Sequence, residues 1–273
     1  MTKIFAYDLD GTLFTNANLM HPQTPQALAQ VQKSGHYNVI STGRSLGNVL
    51  NALGENITLF KHIIASNGAV VYTPETKEIK ILGKVEIDAF DSLYQTALNS
   101  DYIMRVDTVH ESVSFLTPGQ TPTWLKEQNI MDITKFNFLE PDVFSTYAHN
   151  HKDNIVQLAL RGSTDNILNE YTHFSKVLGN KYEVKYTNKV YLDINAKNVN
   201  KWTGLSYVCS LANVKSENVI AFGDSGNDVE MLSHAGIGIA MGNATQEAKD
   251  AADLIIGENT TNAIAITLEE MIQ

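Results

Sequence analysis

Cysteine is nearly absent: Cys209 is the single one in 273 residues, which excludes an internal disulfide. It falls in an apolar helical pattern and reads as a core residue, not a nucleophile. Long apolar runs are missing too, none approaching the roughly 18 residues that span a bilayer. The first residues lack the apolar stretch and cleavage site of a signal peptide, so the expectation is a soluble, cytoplasmic protein. Basic residues are in deficit: 20 Lys and Arg stand against 30 Asp and Glu, a formal net charge of −10. Binding to a nucleic-acid backbone depends on clustered Lys and Arg, so neither nucleic acid nor a membrane is an expected partner. An anionic ligand would have to be drawn in locally, by a metal ion and a few placed cations. No Gly-Lys-Ser/Thr follows a strand as a Walker loop requires, and neither Gly-x-Gly-x-x-Gly nor Gly-x-Ser-x-Gly is expected to carry chemistry. Repeats, low-complexity tracts and long charge blocks are also lacking, and nothing in the sequence fixes an oligomeric state.

What the chain does have is 43% hydrophobic content, enough for one large or two medium domains with real cores. The stretch Lys3 to Leu13 organises it. Ile4, Phe5, Ala6 and Tyr7 form a short apolar run fit for a buried parallel strand, which stops at Asp8, Asp10 and Gly11. Residues two apart in extended chain point the same way, so Asp8 and Asp10 can face one cleft, while Gly11 lets the chain turn away. Two carboxylates this close repel unless a divalent cation lies between them or one carries a proton. A plain Asp-Gly turn would also account for these residues. A calcium loop would not, because its frame from Asp8 meets Leu13 and Leu19 where Gly and Glu are needed.

Downstream, Thr24 to Lys33 reads as an amphipathic helix with Pro25 near its start, and Tyr37 to Ser41 as a strand. That strand ends in Ser41-Thr42-Gly43-Arg44 before a helix from Leu46 to Leu53, a place for either a helix cap or a phosphate oxygen. Ser66-Asn67-Gly68-Ala69 between apolar runs signals a hairpin, and a second follows through Thr73 to Thr76. Asn67 is either turn chemistry or a residue near the substrate. From 83 to 189 helical patterns (86–99, 165–178) mix with alternating strands (112–117, 154–160, 182–186) and a less regular, proline-marked stretch, 118–141. This texture predicts an α+β domain inserted into an α/β chain, with hinges near Leu82-Gly83 and Asn188-Lys189. His149 and His151 read as members of a solvated loop, not as metal ligands.

The core pattern is expected to resume with Val190 to Ile194, followed by a helix opening at Lys201 with Leu205, Val208 and Leu211 on its apolar face. Asn218 to Phe222 is a further buried strand, closed by Gly223-Asp224-Ser225-Gly226-Asn227-Asp228 and a helix through Met231 and Leu232. This second acidic strand end is no calcium loop either, with Val229 and Ala235 at the critical places. Strand 237–240, helix 245–252, strand 254–256 and helix 261–272 complete a mostly parallel sheet, whose ligands belong at the carboxyl ends of its strands. The core is thus expected at 1–82 and 190–273, with a cap at 83–189. Four stations converge: Asp8 with Asp10, Thr42, Lys201, and Asp224 with Asp228. They supply carboxylates for a hard cation, a cation for phosphate, a hydroxyl donor and a carboxylate free to attack, the inventory of phosphoryl transfer.

The strings Asp8-Leu9-Asp10-Gly11-Thr12-Leu13, Ser41-Thr42-Gly43-Arg44, Lys201 and Gly223 to Asp228 resemble the four motifs of the haloacid dehalogenase superfamily. The large insertion, with Asn67-Gly68-Ala69 before it and Met241-Gly242-Asn243-Ala244 near the end, resembles the Cof-type phosphatase branch, class IIB. The resemblance implies a Rossmann-like core with an inserted cap that reads a small phosphorylated metabolite. It implies that Asp8 attacks phosphorus and becomes an aspartyl phosphate, with Asp10 as acid and base. It further implies Mg²⁺ held by Asp8, Asp224, the main-chain carbonyl of Asp10 and, in support, Asp228. Thr42, Gly43, Lys201 and Asn227 would take phosphate oxygens, and Arg44, Asn67 and Gly68 would lie near the substrate. Lys197 is a second candidate for the lysine role, and Trp202 either narrows the site or packs beneath the cap. The expected reaction is hydrolysis of sugar phosphates or phosphorylated cofactors. A phosphomutase or phosphotransferase is the alternative, and a phospho-aspartate switch a third reading that the intact Asp10 opposes.

Overall fold

The computed structural model describes residues 1–15, 18–117, 122, 124–125, 133, 136–187 and 189–272. It divides into two compact units, Met1–Leu82 with Asn200–Gln273, and Gly83–Val199. Most of the stretch 118–135, and Asn188 of the second expected hinge, lie outside the described residues.

The first unit begins with β1 (Ile4–Tyr7), buried along its length. Helix α1 (Thr24–Lys33), with proline in its first turn, buries Ala27, Leu28 and Val31. Then come β2 (Tyr37–Ser41), α2 (Leu46–Leu53), β3 (His62–Ala65), β4 (Val70–Thr73) and β5 (Glu78–Ile81). In the second unit α3 (Ile87–Leu98), β6 (Ile103–Thr108), β7 (Ser112–Leu116), α4 (Pro141–Asn150), β8 (Ile155–Arg161), α5 (Thr164–Leu178), β9 (Tyr182–Thr187) and β10 (Tyr191–Ala196) follow in order. The chain returns to the first unit with α6 (Lys201–Ala212), β11 (Val219–Gly223), α7 (Val229–His234), β12 (Ile237–Ala240), α8 (Gln246–Asp250), β13 (Leu254–Ile255) and α9 (Ala263–Met271).

The first unit's sheet has the order β13-β12-β11-β1-β2-β3-β4-β5. Strands β13 to β3 pair in parallel, and the hairpins β3–β4 and β4–β5 add an antiparallel edge. Strand β1 sits between β11 and β2, with Tyr7 opposite both Phe222 and Ile40. The chain therefore leaves three adjacent strands at one level, at the point where the strand order reverses, and ligands collect there in open α/β sheets. The turn joining β3 to β4 holds Ser66, Asn67 and Gly68 at φ of 50°, 52° and 102°. At Gly68 a side chain is impossible, because a Cβ would stand 2.0 Å from Asn200 O. The bare turn thus lets the first residues of α6 approach, and Lys201 is the first residue of that helix.

The second unit is a five-stranded antiparallel sheet, β7-β6-β8-β10-β9, with helices on one face, the α+β texture expected of the insertion. Met104, Val106, Leu158, Leu160, Leu192 and Ile194 join Phe90, Phe144 and Phe174 in its core. The placement of Val190 to Ile194 in the parallel core is corrected: β10 pairs with β8 and β9, and this unit runs to Val199. The physical reason lies in an alternation. Leu192 and Ile194 enter the core while Asp193 and Asn195 bond to Gln157 on the other face, so a half-polar antiparallel strand resembled a buried parallel one. His149 and His151 do not form a loop: His149 belongs to α4 and His151 caps it, their Nδ1 atoms against Ser145 O and Tyr147 O. Leu211 is exposed, whereas Leu205, Val208 and Cys209 are buried as expected. Among the described residues no helix is long and apolar enough to cross a membrane.

Candidate active site

Asp8 continues the sheet ladder past β1, its N–H donating to Phe222 O at 3.0 Å. This places its carboxylate beside the end of β11, where Asp224 and Asp228 follow. Ligand atoms of Asp8, Asp224 and Asp228 all lie within 4.8 Å of one another. The ammonium of Lys201 bridges two of them, 2.6 Å from Asp8 Oδ1 and 2.7 Å from Asp228 Oδ1. Lys201 is 1% exposed and Asp228 is fully buried, so this is a desolvated ionic cluster. Lys197 plays no part in it, because its Nζ donates to Gly179 O in the second unit.

Each carboxylate is held for a different use. Asp228 is saturated: its Oδ2 accepts from the N–H groups of Asp224 and Ser225, both at 3.0 Å, while Oδ1 takes Lys201. It ties the loop after β11 together and charges the site from beneath. Asp224 is oriented by Thr12, whose hydroxyl donates to Oδ1 at 2.8 Å. Gly11 lies against the same carboxylate at φ 85°, and a Cβ there would stand 2.5 Å from Asp224 Oδ2, so only glycine fits. Sequence reasoning missed Thr12 as a site residue; its place directly after the Asp-x-Asp-Gly string was the available signal. The side chain of Asp10 does not join the cluster. Its carboxylate is 47% exposed and paired with Arg44.

Ionised, three carboxylates and one ammonium leave two negative charges in a largely buried cluster. Burial pushes Asp8 up to about 7, with Asp228 and Asp10 adding to the rise and Lys201 opposing it. Burial also raises Asp224 well above the usual carboxylate range, helped by Asp8 and Asp228. Lys201 is likewise raised; burial alone would lower it, but Asp228 and Asp8 outweigh that cost. The cluster is thus short of two positive charges and built from hard oxygen donors, which fits a divalent cation. Asp8 and Asp224 are the carboxylates with coordination capacity left to hold one.

The residues expected to take phosphate oxygens gather round the same strand ends. Thr42 continues β2, its N–H donating to Ile64 O, and its buried Oγ1 accepts from Arg44 N at 3.2 Å. Asn67 N donates to Thr42 O, and Asn227 Nδ2 donates to Asn67 Oδ1 at 3.0 Å. Gly43 lies against this amide pair, with a Cβ falling 3.1 Å from Asn67 Oδ1. Thr42, Gly43, Asn67 and Asn227 are therefore one connected group. Gly68 serves the site through the approach of α6. Trp202 stacks on His234, ring centroids 5.3 Å apart, which gives its ring a packing partner within the first unit.

One Gly-x-Ser-x-Gly string stands at a strand end, and as expected it carries no chemistry. It is Gly43-Arg44-Ser45-Leu46-Gly47, at a strand-to-helix turn. Ser45 is 1% exposed, and its Oγ has no hydrogen-bond partner among the described residues, so no base activates it.

Comparison with known proteins agrees with this geometry. The haloacid dehalogenase-like hydrolase family matches residues 5–268. The 5-amino-6-(5-phospho-D-ribitylamino)uracil phosphatase YcsE of Bacillus subtilis (strain 168) is 28% identical, over 96% of this chain and 93% of its own. The pyridoxal phosphate phosphatase YbhA of Escherichia coli (strain K12) is also 28% identical, over 97% of this chain and 96% of its own. In fold, the chain is similar to a haloacid dehalogenase-like hydrolase from Bacteroides thetaiotaomicron, with TM-score 0.82, 24% identity and coverage of 99% and 100%. A family match over nearly the whole length, with phosphatases among the relatives, makes this chain a member of the haloacid dehalogenase-like hydrolases and an enzyme of their phosphatase kind.

Proposed function

We propose that this protein is a Mg²⁺-dependent phosphatase of small phosphomonoesters, sugar phosphates or phosphorylated cofactors, acting through an aspartyl phosphate on Asp8. The observation that carries the reading is the Lys201 bridge: one buried ammonium holds Asp8 by Oδ1 and leaves Oδ2 for attack. Asp8 Oδ2 would form a bond to phosphorus as the ester P–O bond breaks, and Asp10 would give its proton to the departing alcohol oxygen. Asp10, now a carboxylate, would take a proton from water as that water attacks phosphorus and the bond to Asp8 breaks, releasing inorganic phosphate. Lys201, Thr42, Gly43 and Asn227 would hold phosphoryl oxygens, while the carboxylates of Asp8 and Asp224 and the carbonyl of Asp10 would hold the metal. When bound, Mg²⁺ supplies positive charge that lets an anionic nucleophile and an anionic substrate approach.

We read the unit Gly83–Val199 as the cap that selects the alcohol. In support, the sheet face opposite its core carries Arg105, Gln157, Asp193 and Asn195, a polar set suited to hydroxyl-rich leaving groups. The names of the two relatives, a ribitylaminouracil phosphate phosphatase and a pyridoxal phosphate phosphatase, support small phosphorylated metabolites as the substrate class. The test is phosphate release from a panel of sugar, nucleotide and cofactor phosphates, with Mg²⁺ and with EDTA, beside Asp8→Asn. Metal-dependent release abolished in the variant supports hydrolysis. Transfer of phosphate to an added sugar in place of release would point to a phosphotransferase.

A further inference from the structure

Asp10 and Asp8 leave the same strand end, yet their side chains have different partners. Asp8 is gripped by Lys201 in the buried cluster, whereas Asp10 is gripped by Arg44 at the surface. The guanidinium meets both carboxylate oxygens of Asp10: Nε donates to Oδ2 at 2.7 Å and Nη2 donates to Oδ1. The fork is itself anchored. Nη2 also donates to Asn18 Oδ1 at 2.6 Å, and Cζ lies 5.5 Å above the ring of Phe14. Phe14 is 2% exposed, its N–H donating to Leu9 O and its carbonyl accepting from Asn259 Nδ2 at 2.7 Å. The backbone of Arg44 is pinned as well, its N–H on Thr42 Oγ1 and its carbonyl on the N–H of Ser66. An arginine so fixed sets both the plane and the direction of the carboxylate it holds.

We propose that Arg44 is a positioning residue for Asp10, with Asn18 and Phe14 as its anchors; this rests on the assignment of Asp10 as the proton carrier. A half-exposed aspartate rotates freely about two bonds, and proton transfer needs its oxygen within hydrogen-bond reach of the leaving atom. The bidentate pair removes that freedom while occupying only one lone-pair site on each oxygen, so the outer sites can still exchange a proton with substrate or water. The consequence is specific. Loss of Arg44 harms departure of basic alcohols, which need the proton, far more than departure of acidic phenols, which do not. A direct phosphate ligand, by contrast, would matter equally for every ester.

The experiment measures kcat/KM for ring-substituted phenyl phosphates, from 4-nitrophenyl to 4-methoxyphenyl, in the wild type, Arg44→Met, Arg44→Lys and Asp10→Asn. Arg44→Met is expected to lower kcat/KM for the 4-methoxy ester on the order of 10²-fold, and for the 4-nitro ester by less than about tenfold. Arg44→Lys keeps the charge without the fork and is expected to steepen the dependence nearly as much. An equal fall for every ester in Arg44→Met, while Asp10→Asn steepens the dependence, overturns the role of Arg44 alone. If Asp10→Asn itself leaves the dependence unchanged, the assignment of Asp10 fails and takes this one with it. Should Arg44→Met not fold, the exposed Asn18→Ala carries the test: steepening in the same direction supports the proposal, and a uniform or absent effect overturns it.

Discussion

Replacing Lys201 by methionine removes the ammonium from a site that holds Asp8, Asp224 and Asp228 within 4.8 Å of one another. The chain stem is roughly preserved, so the change is chiefly electrostatic. Lys201 contacts Asp8 at 2.6 Å and Asp228 at 2.7 Å, with the lysine and Asp228 out of reach of water. Removing one partner of such a buried pair costs about 3–5 kcal/mol, because the charge left behind stays desolvated. Its pH dependence follows from the raised acid. Asp8 in the folded protein keeps its proton up to about 7, whereas the unfolded chain loses it near ~4. The folded state therefore binds more protons between those values, and metal-free stability falls as pH rises through that window. Urea unfolding of Lys201→Met in EDTA should show a loss near the full range at pH 8 and a smaller one at pH 5, where the Asp8 contact has lost its charge while the Asp228 contact remains. A loss below about 1 kcal/mol at pH 8, or one independent of pH, would refute the charge balance drawn for this site.

The other expectations rest on the same geometry. Mg²⁺ should raise the unfolding midpoint more at pH 8 than at pH 5, since burial holds Asp8 protonated at the lower pH and shifts Asp224 in the same direction; an equal rise at both would contradict the assignment of these ligands. Thr12→Val should weaken Mg²⁺ binding about 10–100-fold by calorimetry, because Asp224 loses the hydroxyl that orients it. Cys209 is buried, and burial pushes its thiol up to about 11, so a thiol reagent at pH 8 should label it only at the rate of unfolding.

The residues that could be read from sequence are those whose neighbours are close in the chain. Strand β1 stopping at Asp8 and helix α1 opening with Pro25 are local patterns, and both stand where the patterns put them. The convergence of Asp8 with Asp224 was legible indirectly, since carboxyl ends of neighbouring parallel strands meet at one edge. Strand β10 was not legible in its partners. Its alternation of Leu192 and Ile194 with Asp193 and Asn195 was present, but which sheet accepts a strand depends on pairing with Leu158 and Val184, remote in sequence. The helix holding His149 was hidden because only Phe144 and Ala148 of its ten residues are buried, too thin an apolar stripe to show periodicity. The grip of Arg44 on Asp10 spans 34 positions and requires a side chain to turn across a loop, which no spacing rule specifies. Asn18 escaped notice for the same reason, as an Asn in a loop reads as turn chemistry.

The central assignment is that Asp8, not water alone, takes the phosphoryl group. The most direct measurement is acid quenching of the enzyme during turnover of a radiolabelled phosphomonoester found active in the panel, followed by peptide mapping. Label on the peptide carrying Asp8, lost in Asp8→Asn and in EDTA, is the predicted result. Undiminished turnover by Asp8→Asn, or label on another residue, would contradict it.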